Sequence, residues 1–183
     1  MGTSFAEVYN RFLGKITDDM YMELTPQDTI RDLRNLLIDA IPGFEFPRKD
    51  LGSYAISSST KSASEVGEAD FVLGEAENGE KIVEFSHFEA ELTSEEINIL
   101  ALLMMINWVQ RQVTSIENTR MKYSGSDFKF TSQANHLSKL LSLLEESQRQ
   151  SLHMQRLYKR RRHDKTGAYE SNWSVLRDIS ALD

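Results

Sequence analysis

The 183-residue chain contains no cysteine, and its longest run of apolar residues, Ile99–Ile106, has eight members. Without cysteine the chain can form no disulfide bond, no thiolate metal site and no cysteine nucleophile. A helix that crosses a membrane needs about 20 apolar residues. The short run therefore predicts a buried helix, and we expect no membrane partner.

Sequence motifs of enzymes are also missing. The chain has no GxxxxGK[ST] or GxGxxG phosphate-binding loop and no GxSxG nucleophile turn. Its histidines occur in neither HExxH nor HxH spacing, which argues against a metal site. The four histidines are His87, His136, His153 and His163. We therefore expect a protein that is not an enzyme and has no cofactor.

The charge is distributed unevenly. Apolar residues make up 40% of the chain and aromatic residues 9%, enough to build a core, and the net charge is −7. Residues 1–155 carry 14 basic and 24 acidic side chains, about −10, whereas residues 156–183 carry 7 and 4, about +3. The pattern predicts a body, 1–155, that repels nucleic acid, followed by a basic junction and C-terminal docking arm, 156–183.

Capping residues and apolar spacing predict four helices. Ser4 with Glu7 and Thr93 with Glu96 have the spacing of capping boxes, and Thr25 can cap the second helix. The predicted helices cover residues 4–16, 26–41, 94–117 and 132–161. The third is apolar nearly all round, as expected for the centre of a core. The predicted stripe of the fourth consists of Leu137, Leu140, Leu141, Leu144, Leu152 and Leu157.

The segments between the helices give weaker signals. Residues 43–51 predict an extended, half-buried piece, and the serine-rich residues 52–64 predict a flexible loop. Residues 69–88 predict a β-hairpin around Asn78-Gly79, with Phe71–Leu73 and Ile82–Phe88 as its strands. The fold class expected is mainly α, with a body like a four-helix bundle, an inserted β-hairpin and an extended C-terminal arm.

Residues 156–165 have the sequence RLYKRRRHDK, with six basic residues in ten. The cluster can be a solvated helix end, a grip on an acidic protein surface or a contact with nucleic acid phosphates. Beyond it, apolar side chains at helical spacing can fold back on the body or insert into a neighbour. The residues predicted to bind a partner are Arg156, Lys159, Arg160, Arg161, Arg162, Tyr169, Trp173, Leu176 and Ile179.

Two segments resemble a known class of proteins. The first, residues 12–48, begins FLGKITDDMYMELTPQDTI, and the second, residues 92–141, contains LTSEEINILALLMMINW and DFKFTSQANHL. An ITDDMY helix pair, a capped LTSEEI helix and a DFKFTSQANHL helix start together resemble neck proteins of tailed bacteriophages. The resemblance covers about half of the chain.

The resemblance implies a structural role as a head–tail connector, or adaptor. Such proteins form a twelve-subunit ring beneath the portal of the capsid, and a C-terminal extension reaches the portal. The implied partners are copies of the chain, the portal protein and neighbouring neck or tail proteins, with passing DNA contacted at most non-specifically. The implied location is the virion, after assembly in the host cytoplasm.

Three other functions stay open at this point. The protein could belong to a different neck or tail ring, such as a stopper or tail terminator. It could be a small non-enzymatic regulator that binds a protein through the same C-terminal arm. A third possibility is a nucleic-acid-binding protein that uses the basic residues between 156 and 165.

Overall fold

The computed structural model describes residues 2–16, 24–68, 70–122, 130–163 and 169–170, and they form a mainly α fold with small antiparallel sheets. The helices are α1 Phe5–Leu13, α2 Pro26–Ala40, α3 Ser94–Lys122 and α4 Phe130–Arg160, with a 3-10 turn at Ile41–Gly43. The strands are β1 Tyr54–Ala55, β2 Ser58–Lys61, β3 Val72–Glu75, β4 Lys81–Glu84, β5 His87–Phe88, β6 Arg162–His163 and β7 Tyr169–Glu170.

Local capping rules set the starts of the first two helices. The Ser4 hydroxyl accepts a hydrogen bond from the Ala6 N–H at 3.2 Å, and the Thr25 hydroxyl accepts from the Asp28 N–H at 3.2 Å. Helix α1 was predicted to reach residue 16 but ends at Leu13. Beyond that point the main-chain hydrogen bonds join residues three positions apart, so the α-helical pattern stops before Gly14.

Helix α3 lies at the centre of the apolar core, as its all-round apolar sequence predicts, and extends five residues beyond the predicted end. Helices α1, α2 and α4 all contact it. Its buried side chains are Ile97, Ile99, Leu100, Ala101, Leu102, Leu103, Met104, Ile106, Val109 and Val113. The core therefore depends on one helix that is covered from several sides.

Helix α4 follows its predicted apolar stripe only in part. Leu140 is buried and Leu137 and Leu144 pack on the core, but Leu141 and Leu152 are each 41% exposed. The buried face of its second half also carries Ser147, Ser151, Gln155 and Tyr158. The prediction was wrong at Leu141 and Leu152. Gln155 and Tyr158 find hydrogen-bond partners in other segments, which a pattern of apolar residues does not reveal.

The predicted hairpin is confirmed and gains a third strand. Strands β3 and β4 pair antiparallel around a turn in which Gly79 has φ 81°, a backbone conformation that glycine adopts without strain. Strand β2 pairs with the other edge of β4, so the order is β2-β4-β3. The prediction of a flexible loop at 52–64 was wrong, since β1 and β2 both lie in it.

The predicted return strand, Ile82–Phe88, is interrupted. Strand β4 ends at Glu84, and the chain then pairs through β5 with β1 in a separate two-stranded sheet. Thr3 and Phe88 also share a main-chain hydrogen bond of 2.8 Å, and a Cβ on Gly2 would lie 1.7 Å from the Phe88 carbonyl oxygen. Only glycine can approach β5 this closely at that position.

Truncating the central helix should cost far more stability than truncating an exposed leucine. Leu100 of α3 is fully buried, so Leu100→Ala is expected to lower the free energy of unfolding by about 2–5 kcal/mol. Leu143→Ala on α4, where the side chain is 39% exposed, is the matched control and should cost much less. Urea denaturation measures both, and equal costs would contradict a core centred on α3.

The Asp70 carboxylate stabilises the turn before β3 through two hydrogen bonds. The Lys61 ammonium donates to Asp70 at 2.7 Å and the Gly67 N–H donates at 2.9 Å, and these bonds hold the pKa of Asp70 below its usual range. The folded state therefore binds the proton more weakly than the unfolded state. The resulting stabilisation is present above the unfolded pKa and is lost as pH falls through the folded pKa.

Asp70→Asn should accordingly be less stable than the wild type at pH 7. The difference in stability between the two proteins is expected to decrease as pH falls below about 4 and through the lowered pKa of Asp70. Thermal unfolding of both proteins between pH 2 and 7 measures this difference. A difference in stability that stays constant across this pH range would show that the charged form of Asp70 does not stabilise the fold.

Candidate functional site

A buried carboxylate joins the start of α3 to the end of α4. Glu96 is only 2% exposed, and its Oε2 accepts from the Thr93 N–H at 2.7 Å and the Thr93 hydroxyl at 2.9 Å. The Glu96 N–H in turn donates to the Thr93 hydroxyl at 3.3 Å, which completes the predicted capping box. Glu96 Oε1 accepts from the Tyr158 hydroxyl, so the cap also binds the last turn of α4.

Burial keeps the proton on Tyr158. Desolvation raises the pKa of the Tyr158 phenol, and its hydrogen bond to the negative Glu96 raises the pKa further, while nearby Arg48 opposes the shift. The phenol therefore remains a hydrogen-bond donor to Glu96. Lys49 Nζ lies 3.9 Å from the same carboxylate and balances part of its charge. The arrangement joins the start of α3 to the end of α4.

Arg48 closes the C-terminal end of α4. Its guanidinium carbon lies 4.3 Å from the centre of the Tyr158 ring, and its Nη2 donates to the main-chain carbonyls of Tyr158, at 2.6 Å, and Arg161. The last carbonyls of a helix lack partners within the helix and carry partial negative charge. A cation supplied by a distant segment therefore satisfies them.

Gln155 attaches the same helix to the segment after α2. Its side-chain oxygen accepts from the Glu45 N–H at 2.8 Å, and its Nε2 donates to the Gly43 carbonyl at 3.2 Å and to the Ser151 hydroxyl at 3.2 Å. Phe44 packs edge-on against Tyr158, with ring centroids 5.4 Å apart. Residues 43–49 thus bind the end of α4 by polar and aromatic contacts; we call these residues, with Glu96, Gln155 and Tyr158, the α4 clasp.

The basic residues predicted to bind a partner divide into two groups. Lys159 Nζ lies 3.8 Å from the centre of the Phe46 ring, and Arg161 pairs with Glu95 at 2.7 Å, so both contact the body of their own chain. Arg156 and Arg160 are exposed on the last turns of α4. Lys159 and Arg161 of the basic run therefore make contacts within the chain.

The remaining predicted partner-binding residues follow the helix. Arg162 belongs to β6 and Tyr169 to β7, and these strands pair antiparallel with Arg162 opposite Glu170 and His163 opposite Tyr169. Trp173, Leu176 and Ile179 lie outside the described residues. Their predicted role in docking stays a prediction.

A second buried polar cluster lies under the three-stranded sheet. Glu84 of β4 is 4% exposed and accepts from Arg34 of α2 at 2.6 Å, and the fully buried Tyr9 hydroxyl of α1 belongs to the same cluster. Burial raises the pKa of Tyr9, the charge of Glu84 adds to the rise, and Arg34 opposes it. The Arg34–Glu84 ion pair joins β4 to α2, and the Tyr9 hydroxyl of α1 lies near both charges.

Other polar groups also connect elements of the fold. Arg111 of α3 pairs with Asp32 at 2.8 Å and Asp39 at 3.0 Å, and so fastens α2 to α3 along a polar surface groove. Among the described residues, no group of three histidine or acidic side chains is arranged to hold a metal ion. Within the same part of the chain, no helix is both long enough and apolar enough to cross a membrane.

Reasoning from the sequence alone missed Arg48, Gln155 and Tyr158 as parts of the α4 clasp. Glu96 was assigned only to its local cap, although it also binds residue 158. The available signal was weak: a glutamine and two serines at helical spacing, Ser147, Ser151 and Gln155, interrupt the leucines of α4. Buried polar residues need partners, so this interruption could have indicated a polar inner face.

Comparison with known proteins supplies no relative: the chain matches no protein-family model, no curated protein and no solved structure. The function must therefore be argued from the contacts described above and from the sequence itself.

Removing the clasp hydroxyl should leave a buried acceptor without its donor. Tyr158→Phe is expected to lower the free energy of unfolding by about 1–3 kcal/mol, because Glu96 Oε1 loses its bond while it stays buried. In a double-mutant cycle with Glu96→Gln, the two losses should not add. Urea denaturation gives the free energies of unfolding of the wild type, the two single variants and the double variant. Tyr54→Phe is a control for loss of a half-buried tyrosine hydroxyl. Additive losses would contradict a direct coupling of the two residues.

Proposed function

We propose that the chain is a structural subunit of the neck of a tailed bacteriophage, where copies form a ring that connects the capsid portal to the tail. The observation that carries the proposal is the α4 clasp. It binds the end of α4 to the helical body, and the basic residues that lead to the C-terminal segment start from that point. The subunit would work by contact with other proteins and perform no chemistry.

A clasped helix end suits a protein that presents a docking arm. Ordering a chain segment at an interface costs conformational entropy, and a start point that is already fixed lowers this cost. Arg160 is exposed beside that point and can contact an acidic surface of the portal. In this proposal residues 156–183 form the basic junction and docking arm, with Trp173 as an aromatic anchor.

The charge of the body fits a ring through which DNA passes. Residues 1–155 carry 24 acidic and 14 basic side chains, so each copy adds about −10 to the ring. Repeated negative charge lowers the affinity of the ring for the DNA backbone and lets the duplex move. We propose twelve copies, from the resemblance of residues 12–48 and 92–141 to neck proteins, and a location in the virion after assembly in the host cytoplasm.

A stopper or tail-terminator ring is the second candidate. The three-stranded sheet β2-β4-β3 favours it, because adaptor rings of the resembled class are mostly helical. Both candidates are structural rings, and they differ in position. An image of the particle that places this subunit next to the portal, or farther along the neck, separates them.

Deleting residues 165–183 should abolish incorporation into particles while the body still folds. The α4 clasp lies entirely within residues 43–161 and survives the deletion, so the helical circular dichroism signal and cooperative unfolding are expected to persist. Complementation of a phage that lacks the gene, followed by protein analysis of purified particles, measures incorporation.

A chain in which residues 165–183 are scrambled is the matched control for length and composition. It should fail in the same way as the deletion, because the proposal depends on Trp173 and its apolar neighbours at their own spacing. Normal incorporation of the deleted chain would refute the docking arm.

A further inference from the structure

Helix α4 carries a stripe of side chains that are exposed in the part of the chain that the structure describes. Leu141, Glu145, Gln148, Leu152 and Arg156 are all exposed and follow each other at steps of three or four residues, which places them on one side of the helix. Leu141 and Leu152 are each 41% exposed and lie three turns, about 16 Å, apart. We call these five residues the helix stripe.

The polarity of this helix is unusual at one position of its second half. Ser147, Ser151 and Gln155 face the body, where they are 2–3% exposed, while Leu152 faces outwards. A helix of a protein that acts alone normally places its apolar side chains towards the core. An exposed leucine gains free energy when a second surface covers it. Leu152 therefore favours a contact surface on this side of α4.

A second apolar surface lies where the two sheets meet. Ile56 and Phe85 are 51% and 55% exposed, the highest values among the large apolar side chains of the described residues. The Phe85 N–H donates to the carbonyl of Ser57 at 3.0 Å, so Ser57 is the cross-strand partner of Phe85, and the register places Ile56 opposite Ser86. Exposure of both this surface and the helix stripe shows that they do not cover each other within one chain.

An acidic side chain borders this surface. Ser86 and Phe88 are fully buried, so the alternation of the extended chain turns Phe85 and Glu89 to the outer side, and both are exposed. The stretch 68–96 contains ten acidic residues and one lysine. We call Phe85 and Glu89 the sheet patch. It combines an exposed aromatic ring with a negative charge, whereas the helix stripe carries Glu145 and, one turn after Leu152, the positive charge of Arg156.

We propose that the helix stripe of one copy docks on the sheet patch of the next copy, with Leu152 against Phe85 and Arg156 near Glu89. The occupant is a second copy, because one chain supplies both complementary surfaces. Two different surfaces that meet give a head-to-tail contact, which closes into a ring when the rotation permits. This inference rests on the ring function proposed above and names the contact between its subunits.

The absence of cysteine allows a direct test by disulfide cross-linking. Purified Leu152→Cys and Phe85→Cys chains are mixed at high concentration and oxidised, and a disulfide forms where the Cα atoms approach within about 4–7 Å. The mixture should yield a heterodimer at several-fold the level given by Lys139→Cys with Phe85→Cys. Lys139 is exposed on the opposite side of α4 from Leu141. All the replaced side chains are exposed, and circular dichroism checks that each variant folds.

Charge reversal provides the second measurement on the same pair. Arg156→Glu should lower the cross-linked fraction several-fold, and adding Glu89→Arg should restore it. A disulfide between two Leu152→Cys chains in place of the heterodimer would show that α4 pairs with itself, and it would overturn the proposal. A heterodimer level equal to that of the Lys139 control would also overturn it.

The outcome is separable from that of the proposed function. Cross-linking uses the purified chain alone, whereas the neck function is tested by incorporation into particles. A specific cross-link without incorporation keeps this contact and rejects the neck. Normal incorporation without the cross-link keeps the neck and rejects this contact.

Discussion

The burial of one carboxylate, Glu96, constrains the rest of the structure. An ionised group withdrawn from water is costly unless hydrogen bonds and an opposite charge replace the water. Thr93 supplies two donors from the start of α3, Tyr158 supplies one from the end of α4, and Lys49 supplies the charge. Because these partners come from three separate segments, satisfying the carboxylate fixes their relative position.

The features that were predicted correctly depend on neighbours in sequence. Ser4, Thr25 and Thr93 cap helices within three residues of themselves, and Asn78-Gly79 turns a hairpin whose strands are adjacent. The missed strand β2, Ser58–Lys61, is rich in serine and gains its conformation from the ladder with β4, whose paired residues are 20 to 26 positions away in the sequence. Tertiary pairing overrode a composition that is typical of loops.

The candidate site was predictable only in part, because its contacts also join residues that are far apart in the sequence. A run of basic residues is visible in the sequence, and it located the end of α4 correctly. What each cation contacts depends on segments about 66–113 residues away: Lys159 meets Phe46, Arg161 meets Glu95, and Arg48 reaches back to the α4 carbonyls. No pattern of neighbouring residues in the sequence indicates such contacts. The sequence could show that charge is concentrated here, but not that part of it is used within the chain.

The polar inner residues of α4 connect the fold to the proposed assembly. The main chain of Gly43 and Glu45 supplies partners for Gln155, and Gln155 in turn donates to the Ser151 hydroxyl, so these two buried side chains are satisfied within the chain. Leu152 of the same turn is exposed. If α4 served only its own core, apolar residues at 147, 151 and 155 would bury more area and need no partners. The polar clasp thus fixes the position of α4 on the body, and the contact proposed between copies requires such a fixed position.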